Sequence, residues 1–342
     1  MKNGLFFICI FLLASCSSLY RFTIEVQQPA PITLPPDVVD IAIVNNSAPQ
    51  PGDKGVTRIY KGAAISDYPL NLDSAANITT ASLAAHLQES SFFNRVLVSP
   101  ASIRTDENWM GSEPLPDAFK NETFAVHGFD GIVSIDRLLF KLDQEVSNNY
   151  YLNIHLNSIA TCTIYVRDRE TPLTSFSISD SLAFSTAIWG DTVDIVKYFP
   201  ESVIGDLAYS IGKQLSERII PSWIEKERFL YSGSQARMTE ALSFARKSRW
   251  KQAEALWTNE YARASQPDGK GKLAANLAVA SEMQDQFAAA LQWATVAQIH
   301  FREAGLPDTS KENIRIEFYV NDLQKRIRDD SLLDLQWGIP SD

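Results

Sequence analysis

Val38-Val39-Asp40-Ile41-Ala42-Ile43-Val44 is a short β-branched and apolar run interrupted only by Asp40. A run without a polar face predicts a central strand covered on both sides, as in a parallel pairing flanked by helices. A polar loop rich in Gly and Pro follows from Asn45 to Leu72. Asp73 or Ser74 can cap a helix that runs to about Ser90, with Ile78, Leu83 and Leu87 on one side. Arg95 to Ser99 reads as a second strand and completes a β-α-β unit. Three longer strand-like segments come next, at Gly131 to Leu142, Tyr151 to Val166 and Leu173 to Phe184. The polar turns between them, Asp143 to Asn149 and Arg167 to Pro172, are short enough for an antiparallel meander. A helix from about Pro200 to Ile220 closes the domain, with Val203, Leu207, Ile211, Leu215 and Ile219 spaced by four. The expected fold of residues 37–222 is α+β, a mixed sheet with flanking helices.

Beyond residue 222 the chain changes to Ala-rich helix. An offset of 37 residues pairs Ala241 with Ala278, Leu242 with Val279, Trp250 with Phe287, Ala253 with Ala290 and Trp257 with Ala294. Small residues let two helices approach closely, and the aromatic that starts each second helix wedges against the helix before it. This spacing resembles tetratricopeptide repeats, slightly lengthened, and implies an all-α repeat domain over residues 223–342. Two such units bury too little surface alone, so Asn313 to Arg328, with Ile316, Leu323 and Ile327 on one stripe, is expected to cap them. Trp250, Trp257 and Trp293 fall at core positions of the repeat, while Trp223, Phe229 and Tyr231 fall at the joint between the domains.

The amino terminus reads as an export signal. Lys2 precedes the apolar stretch Leu5 to Leu13, which is too short to span a bilayer as a permanent helix. Leu13-Ala14-Ser15-Cys16 then resembles the bacterial lipobox, which implies removal of residues 1–15 and acylation of Cys16. Acyl chains hold a protein stably on a membrane. Residues 16–36 are expected to be a lipid-anchored linker, because positions 28 to 36 hold four prolines and read as a semi-rigid stalk. No acidic surface-export signal follows Cys16, so the expected address is the cell envelope, lipid-anchored at the outer membrane with the body facing the periplasm.

The order β-α-β, three strands and a helix resembles the periplasmic domain of curli-assembly lipoproteins, penicillin-binding-protein activators and the Tol-Pal translocation protein. Phe129-Asp130-Gly131-Ile132-Val133 has the acidic, small, apolar start of a strand common in that group. Lipobox, α/β domain and repeat-like tail together resemble a lipoprotein family of the Bacteroidota. The resemblance implies a fold and no chemistry.

The 342 residues are 45% hydrophobic and 21% charged, with 31 Lys+Arg against 41 Asp+Glu and a net charge of -10. Such a composition is globular, and its acidity excludes nucleic acid as the main partner. Removing residues 1–15 takes away one lysine and no acid, so the mature chain is more acidic still, and lipid rather than basic charge is expected to anchor it. Once Cys16 is acylated only Cys162 remains, on a period-two apolar run that reads as core. His86, His127, His155 and His300 have no metal-ligand spacing, and no cofactor is expected. Gly52-Asp53-Lys54-Gly55 reads as a turn, not a phosphate loop. Asp191 and Asp194 are the one candidate carboxylate pair for an envelope hydrolase, and no second motif accompanies them. Arg237, Arg246, Lys247, Arg249 and Lys251 form a basic cluster suited to an acidic peptide or to plain solvation.

The expected function is therefore a non-enzymatic periplasmic scaffold or adaptor. It would hold the membrane through Cys16 and an envelope protein through the groove of the repeats, at Gln235, Arg237, Asn276 and Gln284. The alternatives are a subunit of a curli-type export pore, motivated by the long strands, and the hydrolase.

Overall fold

The computed structural model describes residues 19–65, 69–72, 74–99, 102–147, 151–188, 201–233 and 235–339. The signal segment, Cys16, Asp191 and Asp194 lie outside them. The chain divides into two compact units. One takes residues 29–222 and the last ten residues; the other takes residues up to Gln28 and residues 223–332.

The first unit is a mixed α/β structure. The expected central strand is β2 (Asp40–Asn45), which lies parallel to both β5 (Arg95–Val98) and β6 (Gly131–Ser147). Between β2 and β5 the loop read as irregular forms two short strands, β3 (Val56–Tyr60) and β4 (Ala63–Ala64), before α1 (Ala75–Glu89). β6 is the spine of the sheet. Its first half pairs with β2, its second half pairs in parallel with β3, and its other edge pairs antiparallel with β7 (Tyr151–Val166), which pairs in turn with β8 (Thr174–Ala187). The meander stands as expected.

Both faces of β2 are covered, which is why it tolerates no polar face. On one side Ile41, Ile43, Leu83, Leu156, Ile164 and Leu207 share the main core; on the other Val44, Ile132 and Tyr165 pack with Leu115. The segment supplying that second cover contains α2 (Asp117–Asn121) and a following π turn. The four-spaced stripe of α3 (Glu201–Ile219) lies on the main core through Leu207, Ile211, Leu215 and Ile219. α1 and α3 approach so closely that a Cβ on Gly212 would stand 2.5 Å from the Thr79 carbonyl oxygen. Ser82 and Thr79 also donate hydroxyl bonds across this crossing, to the Tyr209 and Ala208 carbonyls. The inward apolar residues of β7 and β8 pack against α3 of the same unit within the main core.

The second unit holds α4 (Ala236–Ala245), α5 (Trp250–Arg263), α6 (Pro267–Glu282), α7 (Phe287–Glu303) and the body of α8 (Lys311–Gln336). α4 to α7 pack each on the next, and α6 is buried almost all round from Leu273 to Glu282. Such a helix needs small residues, which Ala274, Ala275, Ala278 and Ala280 supply.

Three sequence-based assignments are corrected. The unit of helices also contains a two-stranded sheet, β1 (Leu19–Gln28) with β9 (Ser222–Tyr231); Trp223 stands where the two units divide, while Phe229 and Tyr231 stand on the strand that follows and not in a joint. The segment read as a stalk is packed: Ala30 and Leu34 are buried, Ile32 N donates to the Arg218 carbonyl, and the Ala30 amide and carbonyl both bond the Gln336 side chain. The segment bends at Pro31–Ile32 and turns at Pro36–Asp37, and it has an apolar side to bury. Likewise Trp337 stacks edge-on against Phe92, so the last residues belong with the α/β unit and not with residues 223–332.

Candidate functional site

The four sequence-predicted partner residues do not gather. Gln235 is exposed at the N-cap of α4, and Arg237 is exposed and ion-paired with Glu260 at 3.3 Å. Gln284 is half-buried, donating to Glu254 at 2.7 Å. Asn276 is a correction. It is fully buried on α6, where its side chain accepts from the Tyr231 amide at 2.7 Å and donates to the Tyr231 carbonyl at 2.8 Å. These two bonds extend the ladder of β9 into the helix bundle, and no groove reaches them.

A charged network joins the same strand to α6 and α8. Arg228 on β9 grips Glu282 with two bonds, at 2.7 and 2.8 Å, and reaches Asp322 on α8 at 2.7 Å. Arg326 and the Tyr319 hydroxyl also bond Glu282, and Lys226 bonds Asp322. Arg228 and Glu282 are 4% and 0% exposed, so this is a buried ion pair with its hydrogen-bonding capacity filled. Burial pushes the Glu282 carboxyl up, but Arg228 and Tyr319 outweigh it and hold the group below its usual value. Asp322 is likewise lowered, burial being overcome by Lys226 and Arg228.

Above this network lies a cleft of about 340 Å³. Arg21, Phe229, Arg315 and Phe318 line its mouth, with Tyr319 and Asp322 beneath. Phe318 is 72% exposed, an aromatic ring that no core claims. Arg315 lies over the Phe229 ring at 5.1 Å and reaches the Tyr231 hydroxyl at 3.3 Å. An exposed aromatic flanked by guanidinium groups over a rigid floor is suited to gripping a partner side chain. Sequence reasoning missed the cleft because β1 and β9 were not recognised as strands. The alternation of Tyr20, Phe22, Ile24 and Val26 with Arg21, Thr23 and Glu25 was the available signal.

The α/β unit offers less chemistry. Cys162 is fully buried, and burial holds its thiol well above the usual value, as a core residue requires. Asp136 occupies the extra position of a bulge in β6, between Ile135 and Arg137, and is 2% exposed. Its carboxyl accepts from Ser134 at 2.5 Å and Asn46 at 3.0 Å, yet burial prevails and raises its pKa. Asp130 explains the acidic start of β6: its carboxylate accepts the Asp40 amide at 2.9 Å and pairs with Arg167 at 3.1 Å. Gly52 to Gly55 form a turn, as read, with Lys54 on Asp53 at 2.9 Å. His155 is exposed, and His300 bonds Tyr261 and Glu303. Among the described residues no group of three or more His, Cys, Asp or Glu is placed to hold a metal. Nor is any described helix long and apolar enough to cross a membrane.

These features define a protein of mixed α/β fold with carboxy-terminal helices. The chain belongs to the family described as Domain of unknown function (DUF8603), which matches residues 38–231, more than half its length. A second match, to Domain of unknown function (DUF6340), spans residues 239–325 of the helices. No curated protein matches.

Proposed function

We propose that the protein is a lipid-anchored adaptor of the cell envelope. Acylated Cys16 holds it at the outer membrane facing the periplasm, and its helices bind an envelope protein. The observation that carries this reading is the cleft beneath Phe318, where an aromatic residue stands exposed among Arg21, Arg315 and Phe229 on a floor fixed by buried ion pairs.

A tetratricopeptide-like arrangement of the helices is part of the proposal. Ala241 and Ala278, Ala253 and Ala290, and Trp257 and Ala294 are pairwise equivalent at the offset of 37 and all fully buried. Trp250 and Phe287 each open a helix and are each half-buried. Arrays of this kind bind extended or helical peptides. The Phe318 cleft replaces the four residues suggested by sequence as the partner site.

The test is site-specific photo-crosslinking in cells from position 318, with position 141 on the α/β unit as control. One reproducible protein adduct from position 318, reduced at least roughly tenfold by Arg315→Ala, is the expected result, a hot-spot loss of ordinary size. Identical adducts from both positions would refute the cleft as the partner site. Loss of membrane association in Cys16→Ala, with the protein still folded, checks the anchor.

A further inference from the structure

We infer that the α4–α5 turn and the start of β1 form a second membrane contact, one that binds the phosphate groups of anionic phospholipid. The inference rests on the proposed acylation of Cys16 for its geometry. β1 begins at Leu19, three residues after Cys16. Fully extended, three residues span at most about 11 Å. With residues 29–36 packed within the α/β unit, at most about 11 Å of chain separates the acylated residue from Leu19, and whatever surrounds Leu19 lies near the headgroups.

What surrounds it is basic. The Arg246 guanidinium lies over the Tyr20 ring at 4.5 Å, and Phe22 stacks on Trp250 at 5.9 Å. The start of β1 is thus fixed against the turn between α4 and α5. That turn, tightened by Ser248 at a φ of 55°, presents Arg246, Lys247, Arg249 and Lys251, all exposed. Among the described residues none of the four has a carboxylate within salt-bridge distance, whereas Arg237, at the opposite end of α4, is paired with Glu260. Arg249, Trp250 and Lys251 also line an open, shallow hollow of about 580 Å³ together with Met283 and Gln284, with room for a headgroup.

The net charge of -10 does not oppose this contact. At physiological salt a charge is felt over only about 8 Å, so the membrane meets the local turn and not the average of the chain. Basic residues at an anionic surface strengthen attachment several-fold each, so the patch adds to an attachment that the acyl chains already provide. Tyr20 and Trp250 are the residue types favoured at the water–lipid boundary.

The test is lysine-acylation footprinting of the full chain, extracted in detergent and reconstituted into vesicles of phosphatidylcholine alone or with about one-third phosphatidylglycerol. Lys247 and Lys251 should label roughly fivefold more slowly on the anionic vesicles, with Lys141 and Lys311 unchanged. About 0.5 M salt should restore labelling, because screening then acts within a few ångströms. In the Arg249→Glu/Lys251→Glu variant the protection of Lys247 should disappear while the unfolding midpoint stays put. Equal labelling of Lys247 on both vesicle types would overturn the inference, as would protection by polyglutamate with none on vesicles. The mass of the peptide bearing Cys16, read from the same sample, separates the two claims. An acylated Cys16 without lysine protection refutes the phosphate contact alone. An unacylated Cys16 refutes the anchor, and protection on anionic vesicles is then judged by itself.

Discussion

Glu282→Gln removes the centre of the buried ion cluster while keeping its volume, and it should unfold the helical unit far more easily. Glu282 accepts from Arg228 twice, from Arg326 and from Tyr319. A glutamine can accept through its oxygen, but its amide nitrogen then faces a guanidinium nitrogen, donor against donor. Arg228 is 4% exposed and cannot turn to water, so its charge stays buried with Asp322 as its remaining acid. Breaking a buried pair from one side costs about 3–5 kcal/mol. With an m-value of about 2 kcal/mol/M in urea, that is a midpoint lowered by about 1.5–2.5 M. Near-ultraviolet circular dichroism follows the loss, since Trp257 is fully enclosed in this unit. The double variant Arg228→Met/Glu282→Met should recover most of the stability, because apolar replacement of a buried pair is commonly neutral or better. A shift below about 0.3 M in Glu282→Gln would refute the reasoning, showing that water already reaches the cluster.

Acid should act on the two units in opposite senses. Glu282 and Asp322 have lowered pKa values, so their contribution is complete above the ordinary carboxylate value of about 4 and is lost as pH falls through their folded values. Unfolding of the helical signal followed from neutral pH downward checks this. Asp136 has a raised pKa, so its contribution is present below the ordinary value and lost as pH rises through the folded one. Asp136→Asn should therefore be neutral or stabilising at pH 7, and a loss above about 2 kcal/mol there would show that the ionised group holds the bulge. Gly212→Ala should destabilise by about 1–3 kcal/mol despite the better helix propensity of alanine, because its methyl would meet the Thr79 carbonyl; a stabilised variant would contradict that crossing. Asn276→Ala leaves the Tyr231 amide and carbonyl without partners and should cost roughly 1–3 kcal/mol for each, read in the same urea titration.

The parts of the fold that could be read locally are those whose partners impose a local pattern. β2 is apolar on both faces because cores lie on both sides, and the stripe of α3 has the helical period because one face meets the sheet. β3 escaped notice because its inward residue is Arg58, buried against Gln144 86 residues away. β9 escaped for the same reason: Lys226 and Arg228 point inward, and the acids that make this possible sit on α6 and α8. A buried charge is legible only together with its counter-charge, and no window of the sequence contains both. A neutral polar residue on a buried helix misled in the same way. Asn276 reads as a surface position by its chemistry, yet its partner is the main chain of Tyr231, whose needs leave no trace in side-chain pattern.

Net charge shows how far such averaging can mislead about a site. The acids of the helical unit include Glu282 and Asp322, which are spent on the buried Arg228 and the half-buried Lys226 and contribute little field outside. The bases at the α4–α5 turn are exposed and unpaired among the described residues, so their field is spent on the solvent or on whatever lies opposite. An acidic chain can therefore present a basic surface wherever its acids are consumed internally. The sum over the sequence governs solubility and long-range repulsion. The pairing geometry decides what each surface can bind, and here it places unneutralised cations beside the start of β1.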